Sequence, residues 1–218
     1  QAAGVDHVWM PMGENFGDVN NDGFQDFYLA TGAPDLGYLV PNVLLLNVDG
    51  LRFADVTFAA RVGNLQKGHG VAMGDLDNDG DLDIYEDLGG LYPADVMSGS
   101  MYENPGNANH WITIKLIGKR SNRSAIGARI KLVLDAPAGS REVHGTVNAG
   151  GSFGGNSLQQ EMGVGSATKI RELEVSWPSS GVRQHFKDVS VDQAIEIAEG
   201  ADAFRVLERR RLRFPSAS

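Results

Sequence analysis

The chain has 218 residues and a mass of 23.4 kDa, enough for two small domains or one large one. Its 42% apolar and 22% charged residues fit a folded chain, and 28 glycines against 8 prolines favour a turn-rich, all-β one. A net charge of −9 excludes a general nucleic-acid-binding surface, and the lack of cysteine excludes disulfides, thiolate zinc sites and cysteine nucleophiles.

No run approaches the roughly 20 apolar residues of a membrane helix, so no transmembrane segment is expected. The start at Gln1 has no basic and apolar leader, and the missing initiator Met suggests a processed or truncated chain. An exported protein would have lost its signal before this point.

Residues Gly17 to Tyr28 realign on Gly74 to Tyr85, 57 positions later, and the same offset carries Gly13 to Gly70 and Leu44–Asn47 to Met101–Asn104. Two whole repeats therefore precede about Asn104. In each copy, short alternating runs (Asp26 to Ala30, Val43 to Leu46, Leu82 to Tyr85) predict strands between Gly, Asp and Asn turns, in a unit the size of a propeller blade. After Pro105-Gly106-Asn107 the pattern changes. His110–Ile117, Ala128–Leu134, Arg141–Val147, Ile170–Trp177 and Ala194–Ala198 alternate as the strands of a β-sandwich or small barrel do. Ala201 to Arg213 favours helix-forming residues, so a short basic helical tail is expected, with a segment charge of +3 against −12 for the rest. The expected division is residues 1–105, 106–200 and 201–218.

The chemistry lies in the repeated loops. Oxygen-bearing residues stand at positions 1, 3, 5 and 9, with glycine at 6, which suits a hard cation wanting 6–8 oxygen ligands at a sharp turn. In the first loop the expected ligands are Asp18, Asn20, Asp22, the Phe24 carbonyl and Asp26; in the second, Asp75, Asp77, Asp79, the Asp81 carbonyl and Asp83. Asx turns alone are the simpler explanation of such clusters. Yet like charges about 4 Å apart repel by roughly 4 kcal/mol at an effective dielectric near 20, and no basic residue lies between Asp75 and Asp83. Two Ca²⁺ sites are expected, with Mg²⁺ disfavoured by its smaller octahedral cage. Glu86 completes an EF-hand pattern in the second copy, but Leu29 stands there in the first, and the flanks predict no helices, so Glu86 is taken as incidental.

Phe16-Gly17-Asp18 and Gly74-Asp75, with their Asp-rich loops, resemble FG-GAP (VCBS) repeats, the calcium-binding blade units of integrin-type propellers. Asn109-His110-Trp111, Ser121 to Arg129, Met162 to Gly165 and Glu174 to Ser179 are similar to the ASPIC/UnbV domain of the cartilage acidic protein family. The resemblance implies a calcium-stabilised propeller portion and an all-β C-terminal module in an extracellular, periplasmic or cell-surface protein. It implies no reaction. Two blades cannot close a ring, so missing upstream blades or a partner are expected to cover the open edges.

No nucleophile elbow, phosphate loop, Rossmann glycine pattern or zinc-protease helix is present, so no enzyme is expected. Gly150–Gly155 is expected to be a loop or hairpin tip, Trp111 and Trp177 core, the five histidines structural or superficial, and Arg129 a loop tie. The arginines near the C-terminus are expected to form a solvated face, or to dock on an acidic partner such as another copy or on anionic lipid. The expected function is a calcium-binding, non-catalytic adhesion or interaction module. The alternatives are a subunit of an oligomer whose neighbours complete the blades, and a carbohydrate (glycan)-binding module.

Overall fold

The computed structural model describes residues 3–32, 39–89, 93, 97–136 and 139–214. The described residues are all strand, turn and coil; the sheets are open, and no closed propeller is formed.

Strands β1 (Pro11–Gly17), β2 (Asp26–Thr31), β3 (Val43–Val48) and β4 (Arg52–Asp55) form an antiparallel meander in sequence order. Strands β5 (Gly68–Gly74), β6 (Asp83–Leu88) and β7 (Ser100–Tyr102) repeat its first three members. The bounds of β5 and β6 lie 57 residues after those of β1 and β2, so the offset read in the sequence is an offset of strands. The same offset places the counterpart of β4 at residues 109–112. That stretch instead enters β8 (His110–Ile117), the first strand of the C-terminal sheets, and the second blade stays three-stranded.

The two blades share one core. Tyr28, Ala30 and Leu44 from the first meet Val71, Met73 and Ile84 from the second. Glu86 lies fully buried among them, with Oε1 unpartnered. Burial raises its carboxyl to about 7 against the hydroxyls of Tyr28 and Tyr102, which lower it. The Tyr28 hydroxyl has one proton and two acceptors, Val62 O at 2.7 Å and Glu86 Oε2 at 3.2 Å. The shorter bond takes that proton, which leaves Glu86 to keep its own below about pH 7. Glu86 is thus a core carboxyl, and no EF-hand helix flanks the loop before it.

Eight further strands build the C-terminal half: β8, β9 (Arg129–Ala136), β10 (Gly139–Thr146), β11 (Gln160–Gly165), β12 (Lys169–Trp177), β13 (Val182–Ser190), β14 (Gln193–Ala198) and β15 (Arg205–Leu207). They form two four-stranded sheets, β10-β9-β12-β13 and β11-β8-β14-β15, the latter holding a parallel β8–β14 pair. Alternate residues of both (Ile112, Ile114, Leu116; Ile130, Leu132, Leu134; Leu173, Val175, Trp177) close on one core, as period-two patterning requires. Trp177 is buried there, its indole N–H donating to Gln184 at 2.7 Å. Glu199 anchors the 119–121 turn: burial alone would raise its carboxyl, but donors from Ser180 and from the Ser121, Lys119 and Arg120 backbone hold it down at about 2.

Two expectations are corrected. Trp111 is not core: Ile112, Ile114 and Leu116 take the inward phase of β8, leaving Trp111 half-buried against Gly80, where an added Cβ would overlap the indole. The C-terminal tail is not helical. Residues 205–207 form β15 on the edge of β14, with Arg205 bonded to Glu196 at 2.9 Å, and the chain then runs without helix to residue 214. A 13-residue helix is marginal alone, and sheet pairing plus the bonds of Arg205, Arg209 and Arg211 to Glu196, Gln159 and Asp79 override its propensity. Residues 215–218 of the expected tail lie outside the described residues.

Gly150–Gly155 is a loop, as expected, and it spans both blades. Ser152 exchanges backbone hydrogen bonds with Glu14 of β1 (3.0 and 2.8 Å), and Phe153 O accepts from Val71 of β5 at 3.1 Å. An added Cβ on Gly154 would overlap the Val71 backbone, so glycine is what lets the loop approach so closely. The inner blade edges, β1 and β5, are thereby covered by the same chain. Arg129 is exposed; the turn before it is tied by Asn122 to Ile126 and by backbone bonds between Ala128 and Val147.

Candidate metal centre

The two Asp-rich loops join β1 to β2 and β5 to β6, and they share a matching set of hydrogen bonds. The position-5 N–H donates to the position-1 carboxylate (Asp22 to Asp18, 3.0 Å; Asp79 to Asp75, 2.9 Å) and to position 3 (Asn20, 3.2 Å; Asp77, 3.1 Å). The position-7 N–H donates to position 5 (Phe24 to Asp22, 2.9 Å; Asp81 to Asp79, 3.0 Å). At position 9 both carboxylate oxygens are used. Asp26 accepts from Val19 and Asn47 at 2.9 and 2.7 Å, and Asp83 from Leu76 and Asn104 at 3.1 and 2.9 Å. Asn21 and Asn78 take left-handed backbones (φ 56° and 62°), followed by Gly23 and Gly80 at φ 86° and 95°. Asparagine tolerates that region and glycine prefers it, so local chemistry alone explains the curl.

The loops diverge in what satisfies their remaining oxygens. In the first, Asn20 Nδ2 donates to Asp22 Oδ2 at 3.0 Å, and Asp18 Oδ2 accepts from Gly23 N at 2.7 Å and, across the molecule, from Gly163 N of β11 at 3.1 Å. In the second, Asp75, Asp77 and Asp79 converge with ligand atoms within 4.8 Å of one another. Asp75 is 8% exposed, and its Oδ2 has no partner at hydrogen-bonding geometry: the Gly80 N–H, whose counterpart Gly23 bonds Asp18 at 2.7 Å, is near enough to lower the Asp75 carboxyl but makes no such bond. A buried carboxylate oxygen left unpaired costs free energy, and a hard cation is the partner such an oxygen suits. The second donor set therefore fits calcium: three convergent carboxylates, one with an orphaned oxygen.

Burial raises Asp18 and Asp26 to about 7 and Asp81 and Asp83 to about 6, with neighbouring aspartates adding to the effect. Asp75 and Asp77 shift upward for the same first cause, burial, with Asp79 adding its charge. The loops thus hold carboxyls that resist ionising without a nearby positive charge. The Asp81 side chain turns away from its loop to accept from Asn21 of the first loop (3.0 Å) and from Asn107 (2.7 Å).

Several contributors carry no sequence signal. Glu161 of β11 accepts from Asp75 N at 3.4 Å and from Gln159 at 2.7 Å, and burial lifts it to about 7. The connector between β7 and β8 grips the loops through asparagines: Asn104 Nδ2 donates to Val19 O and Leu82 O (2.7 and 3.1 Å), and Asn109 Nδ2 to Asn20 O (2.8 Å). Asn156 joins the halves again, accepting from Met73 N at 2.8 Å and donating to Phe16 O at 2.7 Å. Arg211 donates to Asp79 Oδ2 at 2.6 Å. Only the last had a trace in the sequence, where docking on an acidic partner was the alternative to a solvated arginine face.

These features define an all-β repeat protein whose paired Asp loops are locked against a two-sheet C-terminal module. The FG-GAP-like repeat family matches residues 16–86, and the ASPIC and UnbV family matches residues 118–203. The chain is an FG-GAP repeat protein with an ASPIC/UnbV domain. No curated protein matches it. Domains of these two kinds are typically non-catalytic and suggest an extracellular-type interaction module. Among the described residues no helix is long and apolar enough to cross a membrane.

Proposed function

We propose that the protein is a calcium-binding, non-catalytic interaction module of an exported protein, acting in the extracellular space, the periplasm or at the cell surface. The observation that carries this reading is the convergence of Asp75, Asp77 and Asp79 around an unpartnered, buried Asp75 oxygen, in a loop whose hydrogen bonds are duplicated 57 residues earlier. Asp75, Asp77 and Asp79 would hold the second ion; Asp18, Asn20 and Asp22 would hold the first. Calcium supplies positive charge to crowded carboxylates and so fixes the loops on which the C-terminal half docks. Affinities of ~10⁻⁴–10⁻³ M would match extracellular calcium. Titration calorimetry tests it: two sites are expected, with Asp79→Ala losing one. No calcium uptake, together with an Asp79→Ala variant thermally equal to the parent, would reject the proposal.

The partner side of the proposal falls on the second blade. With β1 and β5 covered by the glycine loop, β7 is left as an outer strand whose ladder pairs only with β6 among the described residues, with Met101 42% exposed on it. A strand from a neighbouring chain, the same protein or another, would complete that blade by sheet extension. Light scattering at tens of micromolar addresses self-association, which a monomer there would count against.

Carbohydrate binding has one observation in its favour, a groove of ≈ 290 Å³ between the halves, lined by Phe16, Gln25, His144, Asn148, Gln160 and Glu161. Amides and an aromatic edge are the groups that sugar hydroxyls and ring faces use. The two tryptophans do not form an exposed sugar platform, since Trp177 is buried and Trp111 lies on Gly80. A glycan array with no signal would remove this second reading.

A further inference from the structure

The last described stretch of the chain lies on the second loop. Arg211 Nη2 donates to Asp79 Oδ2 at 2.6 Å, and its Nε stands 3.7 Å from Asp77 Oδ2. The backbone reinforces the contact. Leu212 N donates to Asp77 O at 2.7 Å, and Asn78 Nδ2 donates to Arg210 O at 3.2 Å. Arg209 fixes the near end by donating to Gln159 Oε1 at 2.5 Å, and Gln159 passes the link to Glu161.

The choice of oxygens matters. The Oδ1 atoms of Asp75, Asp77 and Asp79 are already occupied by the N–H groups of Asp79 and Asp81. The Oδ2 atoms are what the loop has left for a cation. Asp75 Oδ2 is unpartnered, and the other two face Arg211. In the first loop the equivalent Asp22 Oδ2 is met by the neutral Asn20 amide, and among the described residues the arginine nearest that loop, Arg141, stacks on Phe24 instead.

We infer that residues 209–212 are a tethered counter-cation of the second loop, with the Arg211 guanidinium and calcium drawing on the same carboxylate oxygens, so that each weakens the binding of the other. The inference rests on the calcium reading above. Docked, the segment lowers the calcium affinity of the second site. Calcium in turn loosens the segment and frees its arginines, because coupling between two binding events is reciprocal. Arg211 is 68% exposed, so solvent screens its charge and the coupling is modest, about three- to tenfold.

The test uses the full 218-residue chain, Arg211→Gln and Arg213→Gln in low-salt calcium titrations, with hydrogen exchange at the Leu212 amide. Arg211→Gln is expected to bind calcium about three- to tenfold more tightly at one of two sites, with Arg213→Gln within twofold of the parent. Saturating calcium is expected to speed exchange at Leu212 by a similar factor. Calcium uptake with no gain in Arg211→Gln, an equal gain in Arg213→Gln, or a Leu212 amide protected as well or better with calcium overturns the competition and leaves the calcium reading standing. No uptake by any of the three proteins overturns the calcium reading and the competition with it.

Discussion

The two Asp-rich loops share a backbone and a hydrogen-bond scheme but differ in how they handle charge. The first spends an asparagine amide on Asp22 and a β11 N–H on Asp18, so much of its polar demand is met by neutral donors. The second carries aspartate at position 3, leaves one buried oxygen unpaired, and calls on Arg211. The residue at position 3, together with the Gly23 and Gly163 N–H groups that reach position 1 of the first loop alone, thus separates a loop that the polypeptide can largely satisfy from one with carboxylate oxygens left over. Duplicated Asp-rich loops need not be equally suited to a metal.

The largest expected difference between the loops is steric. Gly80→Ala forces a side chain into a positive-φ position and into the Trp111 ring, and should cost ~3 kcal/mol or more. Gly23→Ala meets the movable end of Arg141 first and should cost about 1–2 kcal/mol. Chemical denaturation of both variants checks the ranking, and equal losses would break the asymmetry. Next comes metal removal. Calcium at about a hundred times its Kd should add about 2.7 kcal/mol per occupied site, or roughly 5–10 °C in Tm for each, which chelation removes. Differential scanning calorimetry should show Asp79→Asn losing more of that increment than Asp22→Asn.

A smaller effect is expected at Glu86, outside both loops. Its carboxyl titrates near 7 in the folded protein and near 4.5 when unfolded, so the folded state holds the extra proton between those values. Stability of the metal-free protein should therefore fall as pH rises from about 4.5 to about 7. Asp18, Asp26, Asp81, Asp83 and Glu161 add to the slope with the same sign, so Glu86→Gln should remove only its own share and leave the protein more stable by about 2 kcal/mol above pH 7. Urea titrations at pH 5 and pH 8 separate the two. Glu199 acts with the opposite sign. Held near 2 when folded, it contributes stability above the ordinary carboxylate range, and that stability is lost as pH falls toward 2. Smallest is Asn20→Asp, which makes the first loop resemble the second. Losing the amide donor should cost about 1 kcal/mol without calcium, while calcium affinity rises. A calcium-free Tm equal to the parent's would show that the Asn20 amide is not what distinguishes the loops.

Much of the fold was readable from repetition and period. The 57-residue offset marked strands as well as loops, and alternation located β8, β9, β12 and β14. Local rules failed where a neighbour decided the outcome. Trp111 sits on an alternating strand, but the phase of β8 turns it toward a loop far away in sequence. The 201–213 stretch has the residues of a helix, yet the open edge of β14 and the acids of the second loop draw it out straight. For the site, the curled loops follow from Asp, Asn and Gly spacing. The Gly163 donor, Glu161 and the connector asparagines do not, because each is brought to its loop only when the C-terminal sheets pack.

The connector between β7 and β8 has a mechanical consequence. It spans only residues 103–109, and three of its asparagines bond to the Asp loops of both blades. It is therefore a clasp rather than a swivel. Force applied to the C-terminal sheets reaches the blades through these side chains, and the rigidity of the joint is set by whether the loops keep their shape.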